Sequence, residues 1–254
     1  MNKECFLLLL SIHIIADFYL QTQKIADTKN QKNRNLIKHI LIYLLCGIIF
    51  LALVPSVQTT LAILLVVASH GLIDWAKKLV LAKIKVKKAT QTTIDAIMFF
   101  ADQVAHVIII FIISCLFVAW GGEIRLARII SNACTNLNLN VGLFARWGIS
   151  ILLVCKPTNI ILKTIIVKYS PKSDGKDIDT EKVKAGAFIG SIERLLVLIF
   201  FALAQYASVG LILTAKSIVR YSEFAADKDF ADYYIIGTLT SLLSGIIVYY
   251  LILA

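Results

Sequence analysis

At 254 residues, 59% apolar and only 17% charged, with a mean hydropathy of +0.81, the chain is excluded from the class of ordinary soluble domains, whose apolar share is about 45–50%. Its net charge of +10 sits mostly in short loops between apolar runs, where Lys and Arg orient helices and attract anionic headgroups, so membrane lipids rather than nucleic acid are the expected partners. The five cysteines are scattered with no CxxC pair, which argues against a zinc-thiolate site and a disulfide framework.

The first apolar run, Glu4 to Leu20, carries His13 and Asp17 in its core and lacks a small-residue cleavage site, so it reads as a span and not a secretory signal. A polar, basic loop follows from Gln21 to Asn35, with Lys24, Lys29, Lys32 and Arg34 against one acid, Asp27. The second span, Leu36 to Val54, is almost purely aliphatic; His39, beside Lys38 at its entrance, reads as interfacial and is set aside. Pro55-Ser56 makes a tight uncharged turn into the third span, Val57 to Leu81. The loop Lys83 to Thr92 holds Lys83, Lys85, Lys87 and Lys88 and no acid.

A fourth span, Thr93 to Trp120, is ended by Gly121-Gly122, and the stretch to Asn140 reads as a short interfacial amphipathic helix with Ile124, Leu126, Ile129 and Ile130. The fifth span, Leu143 to Val167, is interrupted by Pro157, which predicts a kink and a freed carbonyl. After a charged loop, Lys168 to Lys184, the run Ala185 to Val219 is too long for one simple span. It reads as a tilted helix or as two helices broken near Gln205 to Gly210. The final span covers Tyr233 to Leu253, and Trp75, Trp120, Trp147, Tyr249 and Tyr250 read as interface anchors. The expected fold is an all-α polytopic transmembrane bundle of about seven spans, with residues 1–254 as a single integral-membrane domain.

Basic loops after spans one and three, against a neutral turn after span two, place those loops in the cytoplasm and the N-terminus outside. Three histidines then stand four residues from an aspartate inside apolar spans: His13 and Asp17 (with Gln21 one turn on), His70 and Asp74, Asp102 and His106. That spacing puts each pair on one helix face, and the topology puts all three pairs in the cytoplasmic half. Intramembrane ionisable groups are costly and mark functional sites. Imidazole and carboxylate on facing helices are also how bundle cores hold metals. His13, Asp17, His70, Asp74, Asp102 and His106 are therefore the candidate ligands of one or two divalent ions: zinc, manganese or magnesium. A cationic set comprises Lys156, Arg194 beside Glu193, and Lys216 with Arg220. Lys156 and Arg194 either bind an anionic headgroup, with Glu193 as general base, or pair with Glu193 or an aspartate.

The elements His13-x-x-x-Asp17-x-x-x-Gln21, His70-x-x-x-Asp74, Asp102-Gln103-x-x-His106, Glu193-Arg194, Lys216-Ser217 and Ile236-Gly237-Thr238 together resemble the pattern of the bacterial integral-membrane family of unknown function DUF3307. The resemblance implies a multi-pass protein of the bacterial cytoplasmic (inner) membrane and carries over no activity.

The leading expectation is a metal-dependent intramembrane enzyme, a hydrolase or phosphotransferase acting on a phosphate-bearing lipid or similar anionic amphiphile. Glu193, Arg194 and Lys156 are its expected catalytic residues. Two other readings stay open: a proton- or cation-translocating transporter or channel, and a non-catalytic scaffold or sensor whose His-Asp pairs serve as helix glue. The apolar second span and the Ile-, Phe- and Leu-rich outer half of the fourth lean against a through-path.

Overall fold

The structure, a computed structural model, describes residues 3–84, 88–166, 180–226 and 228–254. Lys85, Lys87 and most of the charged loop read over Lys168 to Lys184 lie outside the described residues. The architecture is all-α, and the described residues contain no strand. Among the described residues, six helices are long and apolar enough to cross a membrane: Asn33–Leu53, Val57–Lys83, Gln91–Ala119, Val141–Ile166, Ala185–Ala202 and Phe230–Leu253. Two further apolar helical stretches are Lys3–Ile14, with the turn that follows it, and the shorter Tyr206–Val219. The helices gather into two compact units, Met1–Phe144 and Ala145–Ala254.

In the first unit, α1 (Lys3–Ile14) runs into a π-helical turn, Ile15–Leu20, closed by the Gln21 N–H donating to the Ala16 carbonyl at 3.1 Å. Such widened turns are frequent at functional sites, and this one carries Asp17. The stretch read as a loop folds instead into α2 (Gln23–Thr28), because Thr22 caps it by accepting the Ile25 N–H. The unit continues through α3 (Asn33–Leu53), α4 (Val57–Lys83), α5 (Lys88–Ala119) and α6 (Arg128–Asn136). Ser56 N-caps α4 by accepting the Thr59 N–H at 2.9 Å. At the end of α5 the Gly121 N–H reaches the Val118 carbonyl and the Gly122 N–H the Phe117 carbonyl, both at 2.9 Å. That closure needs a left-handed residue, and Gly121 supplies it with φ of +66°. The expected amphipathic helix is α6; none of its residues is buried.

α4 packs against α3 and α5, and α1 against α3 and α5. The core of this unit is apolar at one end: Cys5, Leu9, Ile12, Ala62, Ile63, Val66, Ile110, Ile113 and Phe117 are all buried. Gly47 permits the α3–α4 approach, since a Cβ there would lie 2.6 Å from Ile63 Cγ2. Gly47→Val is expected to cost about 1–3 kcal/mol by overpacking, read as a lower thermal unfolding temperature in detergent.

In the second unit α7 (Val141–Val154) and α8 (Lys156–Ile166) are one apolar stretch broken at Cys155. Pro157 has no N–H for the Leu153 carbonyl, and the Thr158 hydroxyl takes that carbonyl at 2.7 Å. The long run read after the charged loop divides into α9 (Thr180–Ala202) and α10 (Tyr206–Val219). The break falls at Ala204, whose φ is +54°, with the Gln205 N–H closing back onto the Phe200 carbonyl at 2.7 Å. Next come α11 (Tyr221–Ala226) and α12 (Lys228–Val248), which ends in a second π-helical turn, Tyr249–Leu253. α12 packs on both α8 and α9.

Candidate metal centre

The three His-Asp pairs converge in the first unit, at the end opposite its apolar core. None of the pairs is closed by its own four-residue spacing. His13 Nδ1 lies 3.8 Å from Asp17, His70 Nε2 3.5 Å from Asp74, and His106 Nδ1 3.9 Å from Asp102. The polar atoms face across the helices instead.

His39, set aside as interfacial, is fully buried at the centre of the cluster, which corrects the reading from its neighbour Lys38. It shares the inward face of α3 with Leu36, Tyr43, Cys46 and Gly47, a spacing of three and four residues. Its Nε2 lies 2.9 Å from His70 Nε2, 3.2 Å from Asp17 Oδ1 and 3.4 Å from Asp74 Oδ2. His70 Nε2 in turn lies 3.4 Å from Asp17 Oδ1 and 3.5 Å from Asp74 Oδ2. These four atoms come from α3, α4 and the π-helical turn after α1. A tetrahedral zinc with bonds of about 2.0–2.1 Å has ligand–ligand edges of about 3.3–3.4 Å. The five distances, 2.9 to 3.5 Å, lie near that edge length; His39, His70 and Asp74 lie within 4.8 Å of one another, and Asp17 groups in the same way with His13, His70 and His106.

Two lysines read from the sequence as orientation signals turn inward. Lys29, just past α2, donates to both oxygens of Asp74 at 3.0 and 2.8 Å. Lys77 donates to Asp102 Oδ2 at 2.9 Å. Burial works to lower the pKa of the Lys29 ammonium, but Asp17 and Asp74 outweigh it and hold the pKa above the ordinary lysine value. Lys29→Met strands a buried carboxylate, so a loss of about 3–5 kcal/mol is expected in thermal or denaturant unfolding.

Gln103, beside Asp102, accepts a hydrogen bond from His13 Nε2–H at 3.2 Å. Buried side-chain atoms without a hydrogen-bond partner among the described residues concentrate in the cluster. They include Asp17 Oδ1, Asp102 Oδ1, Tyr43 Oη, Nδ1 of His13, His39 and His70, and both ring nitrogens of His106. Each such group costs about 1–3 kcal/mol, so so dense a set calls for a further binding partner. An electropositive ion fits the carboxylate oxygens and the imidazole lone pairs.

The expected catalytic residues lie in the second unit. Glu193 pairs with Lys216 at 2.9 Å, and Lys216 also donates to the Thr238 hydroxyl at 3.4 Å. Arg194 is fully buried and binds neutral oxygens: Nε–H donates to the Val154 carbonyl at 2.6 Å and Nη1 to Ser241 at 2.8 Å. Its Nη2 donates to the Asn159 side chain and, at 3.3 Å, to Ser191. The Val154 carbonyl belongs to the proline-broken turn, so the sequence showed the break but not the group that answers it. Lys156, at the start of α8, is exposed.

The family model described as "Protein of unknown function (DUF3307)" matches residues 5–132. That range holds every residue of the cluster; Glu193-Arg194, Lys216-Ser217 and Ile236-Gly237-Thr238 fall beyond it. Neither the curated proteins nor the solved structures give a significant match. By the half of its length that the model covers, the chain belongs to the DUF3307 family of proteins of unknown function.

Proposed function

We propose that the N-terminal unit is a membrane-embedded metal centre, acting on a phosphate-bearing amphiphile at the cytoplasmic face of the bacterial inner membrane. The observation that carries the reading is the close approach of His39 Nε2 and His70 Nε2 to each other and to Asp17 Oδ1 and Asp74 Oδ2. A divalent ion there supplies a Lewis acid for a phosphoryl oxygen and lowers the pKa of bound water. His39, His70, Asp17 and Asp74 would hold it, and the water or phosphoryl oxygen would enter as a further ligand. Lys29 fixes the orientation of Asp74, and Lys77 that of Asp102. Both lysines add positive charge beside the cluster.

The far end of the unit favours an enzyme over a transporter. Its core is apolar, and two of its buried hydroxyls bond to their own helices: Ser11 to the Leu7 carbonyl and Ser114 to the Phe111 carbonyl, each at 2.7 Å. An ion path across the membrane would need polar groups free to face it.

Metal analysis of protein purified without chelators tests the site. At least one divalent ion per chain is expected in the wild type, and His39→Ala is expected to weaken its affinity by more than tenfold. Wild-type protein that takes up no ion would overturn the reading. For the reaction, vesicles carrying a phosphate-monoester lipid should release chelator-sensitive phosphate in the presence of the metal-loaded protein. Zinc flux into the same vesicles without phosphate release would favour the transporter.

A further inference from the structure

We infer that the cluster binds a second divalent ion beside the first, held by His13 and His106, with Asp17 shared between the two and Asp102 facing His106. The inference rests on the metal-centre reading above, and four observations carry it.

The two oxygens of Asp17 serve different neighbours. Oδ1 lies with His39 and His70 at 3.2 and 3.4 Å, while Oδ2 lies 3.8 Å from His13 Nδ1. A carboxylate so placed can bridge two ions through one oxygen each. His13 is set up as a donor to the second of them. Its Nε2–H is spent on Gln103 Oε1, which leaves the lone pair on Nδ1, and Nδ1 has no hydrogen-bond partner among the described residues.

His106 is 2% exposed, and neither of its ring nitrogens has a hydrogen-bond partner among the described residues. Its ring stacks on His70 with centroids 4.2 Å apart and lies 5.1 Å from the His13 ring. Stacking accounts for the plane of the ring but leaves both nitrogens unanswered. Asp102 is divided in the same way: Lys77 holds Oδ2 at 2.9 Å, and Oδ1, 3.9 Å from His106 Nδ1, has no hydrogen-bond partner among the described residues.

His13, Asp17, His70 and His106 each place one ligand atom within 4.8 Å of the others, and Asp74, Asp102 and His106 form a separate group of the same kind that meets the first at His106. The second set is looser than the first. It must also bind its ion against the charge of the first, because three carboxylates (Asp17, Asp74, Asp102) already face two ammonium groups (Lys29, Lys77). The second ion is therefore the weaker-bound and exchangeable one.

Equilibrium dialysis of the full chain in detergent against rising Zn²⁺ tests this. The wild type should saturate in two steps, at two ions per chain, with the second step at least tenfold weaker. His106→Gln and His13→Gln, which keep much of the side-chain volume, should each remove the weak step and leave the tight one. His39→Ala should remove the tight step. Wild-type saturation at one ion would overturn the second site and leave the metal-centre reading standing, whether or not the variants fold. No bound ion would overturn both. A folded His106→Gln variant that still binds two ions would also overturn the inference.

Discussion

Asp74→Ala is expected to abolish tight metal binding and to lower the stability of the first unit by about 3–5 kcal/mol, the cost of breaking a buried ion pair from one side. Asp74 is completely buried, and both of its oxygens accept from Lys29. Removing it leaves an ammonium with 7% exposure and, among the described residues, no other carboxylate at hydrogen-bonding distance. The double variant Lys29→Met, Asp74→Ala separates the two roles. Exchanging a buried pair for apolar side chains is often close to neutral, so most of the lost stability should return. Metal affinity should not return, since the carboxylate is still missing. If the double variant is no more stable than either single one, the pair is not coupled as described. If Asp74→Ala keeps wild-type zinc affinity, Asp74 is not a ligand.

Arg194→Met is expected to destabilise the second unit by a similar amount, about 3–5 kcal/mol, because it strands the buried Val154 carbonyl and the Asn159 amide oxygen together. The guanidinium is a planar fork whose donors reach α7, α8, α9 and α12 through Val154, Asn159, Ser191 and Ser241. Lysine has the charge without the fork, so Arg194→Lys should recover little of the loss. Thermal unfolding in detergent reads both variants. If Arg194→Met unfolds like the wild type and loses only phosphate release from vesicles, the residue binds an anion, as its sequence context alone allows, and does not clamp the helices. A rescue by lysine would point the same way.

The residues that the sequence made legible were those whose polarity conflicts with their surroundings. His13, Asp17, His70, Asp74, Asp102 and His106 stand out because charge inside an apolar run is costly, and the topology alone places them at one depth. The structure brings all six together. His39 was hidden because its neighbour Lys38 made it resemble the edge of a span; the i, i+3, i+7 stripe of Leu36, His39 and Tyr43 was the signal that it faces inward. Lys29 and Lys77 were hidden for a different reason. A lysine near a helix end ordinarily extends its stem toward water, and only the partner's position shows that it turns inward instead. The break at Pro157 was legible from the missing N–H. Arg194, which takes the Val154 carbonyl, lies 40 residues further along, a separation that local pattern does not read. The fold class followed from composition, whereas the division into two units depends on which helices pack together and is not written in any one segment.

The proposed inner sphere of the metal is His39, His70, Asp17 and Asp74. X-ray absorption at the zinc edge of the zinc-loaded full chain reads that shell. Nitrogen and oxygen scatterers at about 2.0–2.1 Å are predicted, with the outer-shell signature of imidazole, which should weaken in His39→Ala. A sulfur shell at about 2.3 Å, which would implicate cysteines such as Cys46, or a spectrum unchanged in His39→Ala, would contradict the account.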